Sequence, residues 1–445
     1  MTHGQWGRSI HPSPIDKLYV ISVLIGAPLC ALFLTIANVD YNGSLANAFN
    51  NLFNGNIFSN IPGVNFTYVL YLTYFLIFQF ILALLPDYFS KFLPNYRGGK
   101  QQGQKTPAGH EHFYNINGLQ AWWITVQLFF WLSYFKYIDP AWIANHWKEL
   151  FMAANVLGFG VSFLAHIKAL ISPTHPDDDK YADCWYYNFF MGIEFNPRIF
   201  DIDIKLFSNG RTGIMAWTLI NYSFAAYQYQ TYGFVTNSMI LVNLLHLLYI
   251  VDFYWNEAWY LKTIDIAHDH YGWQLSWGTF VWLPFTYTLQ GAFLINNPNI
   301  LTQNQFWIIL TLGIIGYIIF RWTNYQKDYF RRTDLDKCII WGRKANYIEC
   351  TYSTKCGTVH KSKLLTSGWW GLARHMNYTG DILLSTMYCC ATGTTQLLPY
   401  FYAFFMTTLL VTRCIRDEDR CLNKYKDDWI RYCKEVPYRI IPGFF

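Results

Sequence analysis

Residues 265–273 read DIAHDHYGW and follow an apolar, aromatic run, LLYIVDFYWNEAWYLKTI. Carboxylates and imidazoles exchange protons near neutral pH, and they also bind metals. If the chain is helical from Phe253 to Tyr271, positions 257, 261, 265, 268 and 269 fall within about 120° of one another. Glu257, Asp265, His268 and Asp269 then share one face. At membrane depth such groups are costly, and they ordinarily face a cavity. A juxtamembrane loop with solvated charges, broken at Gly272, is the other reading. A metal site is a third, but the chain has no HExxH and no separated His boxes, so no metal is expected.

Three further groupings carry charge. In NYQKDYFRR (324–332), Lys327 and Arg331 stand four apart on one helical face. Such a pair at the end of a span is ordinarily a positive-inside anchor. In SGWWGLARHMNYTGD (367–381), Arg374, Asn377, Tyr378 and Asp381 lie at i, i+3, i+4 and i+7. A helical reading puts this guanidinium, amide, phenol and carboxylate on one face. An Arg fork suits phosphate or pyrophosphate, and Trp370 can stack on a flat ring. A capped helix anchored at the interface would look similar. In RCIRDEDRCLNKYKDDWIRYCKEVPYRIIPGFF (413–445), Asp417, Cys421 and Lys424 fall at i, i+4 and i+7, followed by Tyr425 and Tyr432. A mixed-charge helix is usually a solvated face, yet an acid for ribose and a base for phosphate are also what a dinucleotide needs. No GxGxxG follows a strand, so a nucleotide site here is not of the Rossmann kind. The loop MGIEFNPRIFDIDIKLFSNGR (191–211) has ordered-turn signals at Pro197 and Gly210.

The elements that must position these groups are hydrophobic. The chain has 445 residues, of which 53% are hydrophobic, 20% aromatic and 14% charged. A soluble domain carries about 25% charged residues. A membrane span needs about 20 mostly apolar residues, and segments 17–37, 66–86, 119–137, 148–172, 211–231, 233–255, 277–296 and 305–322 qualify. Segment 382–413 is too long for one upright span and is expected to hold two short helices broken near QLLPY (396–400). The expected fold is an all-α polytopic integral membrane protein of about ten transmembrane helices. From Asn324 onward the basic residues thicken. The simplest organisation is a single membrane domain over 1–445, with helices in 14–323 and a charged part in 324–445. The ten Cys residues show no CxxC pair, and the net charge of +5 forms no basic stripe, so no nucleic-acid partner is expected.

The stretches LLYIVDFYWNEAWYLKTIDIAHDHYGWQLSWGTFVWLPFTYTLQGAFL (247–294) and GWWGLARHMNYTGD (368–381) resemble two signatures of the sterol reductase family. The resemblance runs from about Pro14 to Phe445 and includes GIEFNPRI, CLNKY and VPYRIIPGFF. It implies an enzyme that reduces a sterol double bond with NADPH bound by the C-terminal part. Carried over by motif, the cofactor contacts would be Lys327, Arg331, Leu365, Trp370, Arg374, Asn377, Tyr378, Asp417, Cys421, Leu422, Asn423, Lys424, Tyr425 and Tyr432. The IAHDHYGW segment would line a neighbouring sterol cavity.

Reducing such a bond requires a proton as well as a hydride. A buried acid that stays protonated and a dry aromatic wall that tolerates a cation are both needed. Asp265, His268, Asp269 and Tyr271 are the candidate acids. Trp255, Trp259, Tyr260 and Trp273, with Glu257, are the candidate substrate contacts. The C7–C8 ring bond is the expected target; a 14-ene or a side-chain 24-ene is the alternative within the family. A non-catalytic sterol-binding scaffold and a membrane methyltransferase are the readings from other classes. The expected partners are a sterol and the lipid bilayer. The expected membrane is the endoplasmic reticulum in a eukaryote and the inner membrane in a bacterium.

Overall fold

Hydrophobic helices dominate the fold, and their polarity runs inside out. The computed structural model describes residues 8–353 and 359–445. The chain divides into two compact units, one running to Ile300 with Thr395–Pro399, the other comprising Leu301–Thr394 and Tyr400–Phe445.

The larger unit contains α1 (Pro14–Val39), α2 (Phe66–Leu84), α3 (Gly118–Tyr134), α4 (Trp147–Ile171), α5 (Ile214–Tyr232) and α6 (Asn237–Trp255). Ser13 and Asp16 close a capping box at the start of α1, with Pro14 in the first turn. In α2, Gln79 is 0% exposed while Ile77 is 51% exposed. Gln79 Nε2 donates to Thr125 Oγ1 of α3 at 2.9 Å. Polar side chains turned in to bond between helices, with apolar ones turned out, are the pattern lipid imposes.

The smaller unit contains α7 (Gln303–Arg332), the strands β1 (Tyr347–Ser353) and β2 (Val359–Leu365), and the helices α8 (Met376–Cys390), α9 (Phe401–Tyr425) and α10 (Asp427–Glu435). α7 and α8 touch at glycines. A Cβ on Gly380 would stand 2.4 Å from the Phe320 nitrogen and 2.5 Å from the Gly316 carbonyl oxygen. Only residues without side chains permit that approach. β1 and β2 pair antiparallel, with Lys361 opposite Thr351 and Lys363 opposite Glu349.

Several expectations need correction or restatement. The fold is mostly helical rather than all-α, because short two-stranded pairings interrupt the helices. Six helices among the described residues are long and apolar enough to cross a membrane, and these make the chain an integral membrane protein. Other expected spans are shorter, less apolar or interrupted. Segment 277–296 is a series of short pieces: a π-helical turn at Gly278–Trp282, then Leu283–Thr286 and Leu289–Asn296. Pro284 offers no N–H there, and Thr212 Oγ1 lies 3.3 Å from the Thr279 carbonyl inside the π turn. In 382–413 the expected break at QLLPY is present, between Cys390 and Phe401, with a single 3₁₀ turn at Leu398–Tyr400.

The continuous helix from Phe253 to Tyr271 does not form. α6 stops at Trp255, and only short turns of helix follow at Glu257–Tyr260 and Ile264–Ala267. Thr263 is extended (φ −74°, ψ 161°) and His268 leaves helical geometry, so the shared face is broken. The face from Arg374 to Asp381 is also interrupted. Ala373 is extended (φ −152°, ψ 151°) and α8 begins only at Met376, so Arg374 precedes the helix.

Candidate active site

Two regions hold the residues singled out by sequence, one in each unit. In the smaller unit, side chains from α7, β2, the segment leading into α8, α9 and α10 surround a cavity of about 690 Å³. Of the predicted cofactor contacts, Lys327, Arg331, Leu365, Trp370, Arg374, Asp417, Cys421, Tyr425 and Tyr432 line it. The floor is packed and apolar. Phe330, Ile340, Leu365 and Trp370 form one buried cluster, and Ile348, Cys421, Trp429 and Tyr432 form another. Trp370 is fixed by donating its indole N–H to the Thr323 carbonyl at 2.8 Å, and the Trp369 backbone N–H donates to Gln326 Oε1 at 2.9 Å. Lys327 Nζ lies 4.1 Å from the Trp370 ring centroid, a cation–π contact that holds the ammonium against the wall.

Arg374 is not an open fork. Nη1 donates to the carbonyls of Val436 (2.7 Å) and Pro437 (3.0 Å), while Nε and Nη2 donate to Glu418 Oε1 at 2.9 and 2.6 Å. The Arg374 and His375 backbone N–H groups donate to the Tyr438 and Arg439 carbonyls. The GWWGLARHMNY and VPYRIIPGFF stretches are therefore bonded to each other, and Arg374 holds the join. Asp417 is paired with Arg420 and lies 3.9 Å from His375 Nε2. Burial holds that imidazole neutral, lowering its pKa to about 4 against the opposing pull of Asp417.

Five predicted contacts lie off the cavity wall. Leu422, Asn423 and Lys424 are exposed, and Lys424 Nζ sits over the Tyr352 ring at 4.0 Å. Asn377 donates to Asn324 Oδ1 at 3.3 Å, and Tyr378 stacks on His375 with centroids 4.9 Å apart. Sequence reasoning missed Lys337, Lys361, Lys363, His375, Arg420 and Trp429, all of which line the cavity. VHKSKLL, the strand that carries two of them, has almost no apolar/polar alternation, so little signal for it was available in the sequence.

In the larger unit, the 191–211 loop acts as a cradle for 265–273. Lys205 is fully buried and donates to the carbonyls of Ile266 (2.9 Å) and Asp269 (2.6 Å). Burial lowers its pKa to about 8. The Tyr271 backbone N–H donates to the Glu194 carbonyl at 3.0 Å, and the Tyr271 hydroxyl and Ser208 Oγ share a hydrogen bond of 2.5 Å. Burial pushes the Tyr271 phenol up to about 12. His270 is buried with Nε2 3.2 Å from the Asp178 carbonyl. His268 is exposed, and Asp265 and Asp269 are half-buried.

The predicted substrate contacts diverge. Trp273 stacks on Trp277 with centroids 4.7 Å apart and lies 5.6 Å from Phe190. Trp255 is exposed beside Tyr96, Tyr260 packs on Phe253, and Trp259 is half-buried. Glu257 is committed elsewhere. It accepts from the Gly118 N–H at 2.7 Å and lies 3.5 Å from Arg211. Burial raises its pKa and Arg211 opposes the rise.

Gly192 and Gly272 set the depth of this cradle. A Cβ on Gly272 would stand 2.2 Å from the Gly192 nitrogen, and Gly192 has φ +88°. Gly272→Ala is expected to displace the 265–273 segment and cost about 1–3 kcal/mol. A wild-type thermal unfolding midpoint in detergent would refute this.

An apolar cavity of about 530 Å³ also lies in the larger unit, walled by Leu72, Phe75, Trp147, Leu219 and Phe285 among others, with Thr212 and Gly213 on one side. Thr212 Oγ1 donates to the Ser208 carbonyl. Among the described residues, no group of three or more His, Cys, Asp and Glu side chains is arranged to hold a metal ion.

A helical membrane fold and a cation-lined cavity of this size together define an integral membrane protein with room for a large anionic ligand. Residues 11–445 match the ergosterol biosynthesis ERG4/ERG24 family. The chain belongs to this family of sterol reductases. The 7-dehydrocholesterol reductase of Danio rerio is 50% identical over 451 residues, covering 99% of this chain and 94% of that protein. A protein of Acanthamoeba polyphaga mimivirus named probable 7-dehydrocholesterol reductase is 48% identical over 448 residues, covering 100% and 98%. The Delta(14)-sterol reductase of Dictyostelium discoideum is 38% identical over 351 residues, covering 78% and 73%.

Proposed function

We propose that this protein reduces the C7–C8 double bond of 7-dehydrocholesterol, giving cholesterol, with NADPH as reductant. The observation that carries this is the 50% identity to a 7-dehydrocholesterol reductase across nearly the whole of both chains. The 690 Å³ cavity supports the cofactor. Seven cationic side chains face three acidic ones around it, an excess that suits a polyanion. Lys327 and Arg331 would meet phosphate, and Trp370 and Tyr432 give flat apolar faces for the rings. Arg374 would act by shaping the pocket.

When bound, NADPH supplies hydride. The chain must supply the proton. Protonating carbon 8 of the ring diene leaves an allylic cation at carbon 7, which accepts hydride. Tyr271 fits the acid's role. It is buried, its phenol stays protonated at neutral pH, and Ser208 fixes its hydroxyl. The apolar cavity beside Thr212 suits a rigid ring skeleton. This reaction belongs in the endoplasmic reticulum membrane of a eukaryotic cell, or the inner membrane of a bacterial one.

The test is turnover by the purified protein in detergent with 7-dehydrocholesterol and NADPH, followed by mass spectrometry. Cholesterol is the expected product. NADPH binding without conversion would move the activity to a 14-ene or a 24-ene. Sterol binding without NADPH binding would favour a scaffold.

A further inference from the structure

The cations around the smaller unit's cavity differ in what they are free to do. Arg374 is spent on Glu418 and two carbonyls, and Arg420 is paired with Asp417. Lys327 is held over Trp370. Lys337, Lys361 and Lys363 lie on exposed residues at the rim, and among the described residues none of them has a carboxylate within ion-pair distance; Lys363 Nζ lies 5.7 Å from the Tyr347 ring centroid, a looser contact than that of Lys327. Lys361 and Lys363 are two apart on β2, so both project from one face, about 7 Å apart along the strand. Leu365, the next residue on that face, is buried in the cavity floor. Among the described residues β2 is paired on one side only, by β1. Its outer edge therefore leaves alternate backbone N–H groups for a ligand. Opposing acids are mostly occupied: Asp336 is bonded to Lys344 at 2.9 Å, and Asp417 to Arg420.

Two ammonium groups on one strand face, beside a free strand edge, form a clamp for a doubly charged, terminal phosphate. A pyrophosphate needs no such clamp at the rim, because Lys327 and Arg331 line the cavity along α7. The difference between the two nicotinamide dinucleotides is a single phosphomonoester on the adenosine ribose, worth about −1.5 to −2 charges at neutral pH. We propose that Lys361 and Lys363, with Lys337 beside them, bind that 2′-phosphate and set a preference for NADPH over NADH. This rests on the cofactor reading above.

The test uses the full chain in detergent, and compares wild type with Lys361→Gln/Lys363→Gln. Both side chains are exposed, so the thermal unfolding midpoint should match wild type. Dissociation constants are measured for NADPH, NADH and adenosine 2′,5′-bisphosphate. The expected result is a wild-type preference for NADPH. In the variant, binding of NADPH and the bisphosphate weakens about tenfold or more, while NADH stays within about twofold. Equal weakening of NADPH and NADH would overturn the assignment and make these lysines a general field. No weakening of NADPH, or a wild type that binds the two dinucleotides alike, would also overturn it. A wild type that binds neither dinucleotide would remove the cofactor reading, and this one with it.

Discussion

Tyr271→Phe is expected to leave a folded protein that still binds NADPH but turns over sterol about 10²–10⁴ times more slowly. The phenol is 3% exposed and shares a 2.5 Å hydrogen bond with Ser208. Removing one oxygen from a ring held by packing changes little volume, so stability should fall by only about 0.5–1.5 kcal/mol for the lost bond. The proton, by contrast, has no substitute on that ring. Ser208→Ala should give a smaller loss, because it frees the hydroxyl without removing it. His268→Ala, at an exposed position, should stay within a few-fold of wild type. The measurement is kcat and the NADPH dissociation constant for each variant. A fully active Tyr271→Phe would move the proton donor to Asp265 or Asp269.

Arg374→Ala is expected to unfold or loosen the smaller unit, at a cost of about 3–5 kcal/mol. Its guanidinium joins Glu418 to the carbonyls of Val436 and Pro437, and Arg439 bonds the other Glu418 oxygen at 2.7 Å. Both Arg374 and Glu418 are largely shielded from solvent. Truncating the arginine leaves Glu418 with Arg439 alone and two carbonyls without donors. Lysine should not rescue it, since a single ammonium cannot span the fork. Thermal unfolding and NADPH binding together check this. Loss of binding with an unchanged unfolding midpoint would restore Arg374 as a direct phosphate contact.

The two cases show where sequence reasoning holds and where it stops. The shared face of Lys327 and Arg331 was legible because α7 is one uninterrupted helix, and spacing along a helix fixes a face. Asp417 and Cys421 were legible on α9 for the same reason, though Lys424 on that helix turns out toward Tyr352. The DIAHDHYGW face failed because its helix stops at Trp255. Helical periodicity says nothing once Asn256 and Thr263 leave helical geometry. The hairpin lysines were passed over because β2 is short and mostly exposed, which leaves almost no hydrophobic alternation to read.

Composition alone settled the solvent. A chain with so few charges and such long apolar runs cannot hide its surface from water, so it belongs in lipid. The long signatures settled the family, because they run through nearly every element. Tertiary structure alone decided what each polar group does. Whether Arg374 meets a phosphate or a glutamate, and whether Glu257 faces a sterol or Arg211, depends on partners far away in sequence. Burial makes those partnerships nearly obligatory, since an unpaired charge in a dry interior costs more than any local preference can offset.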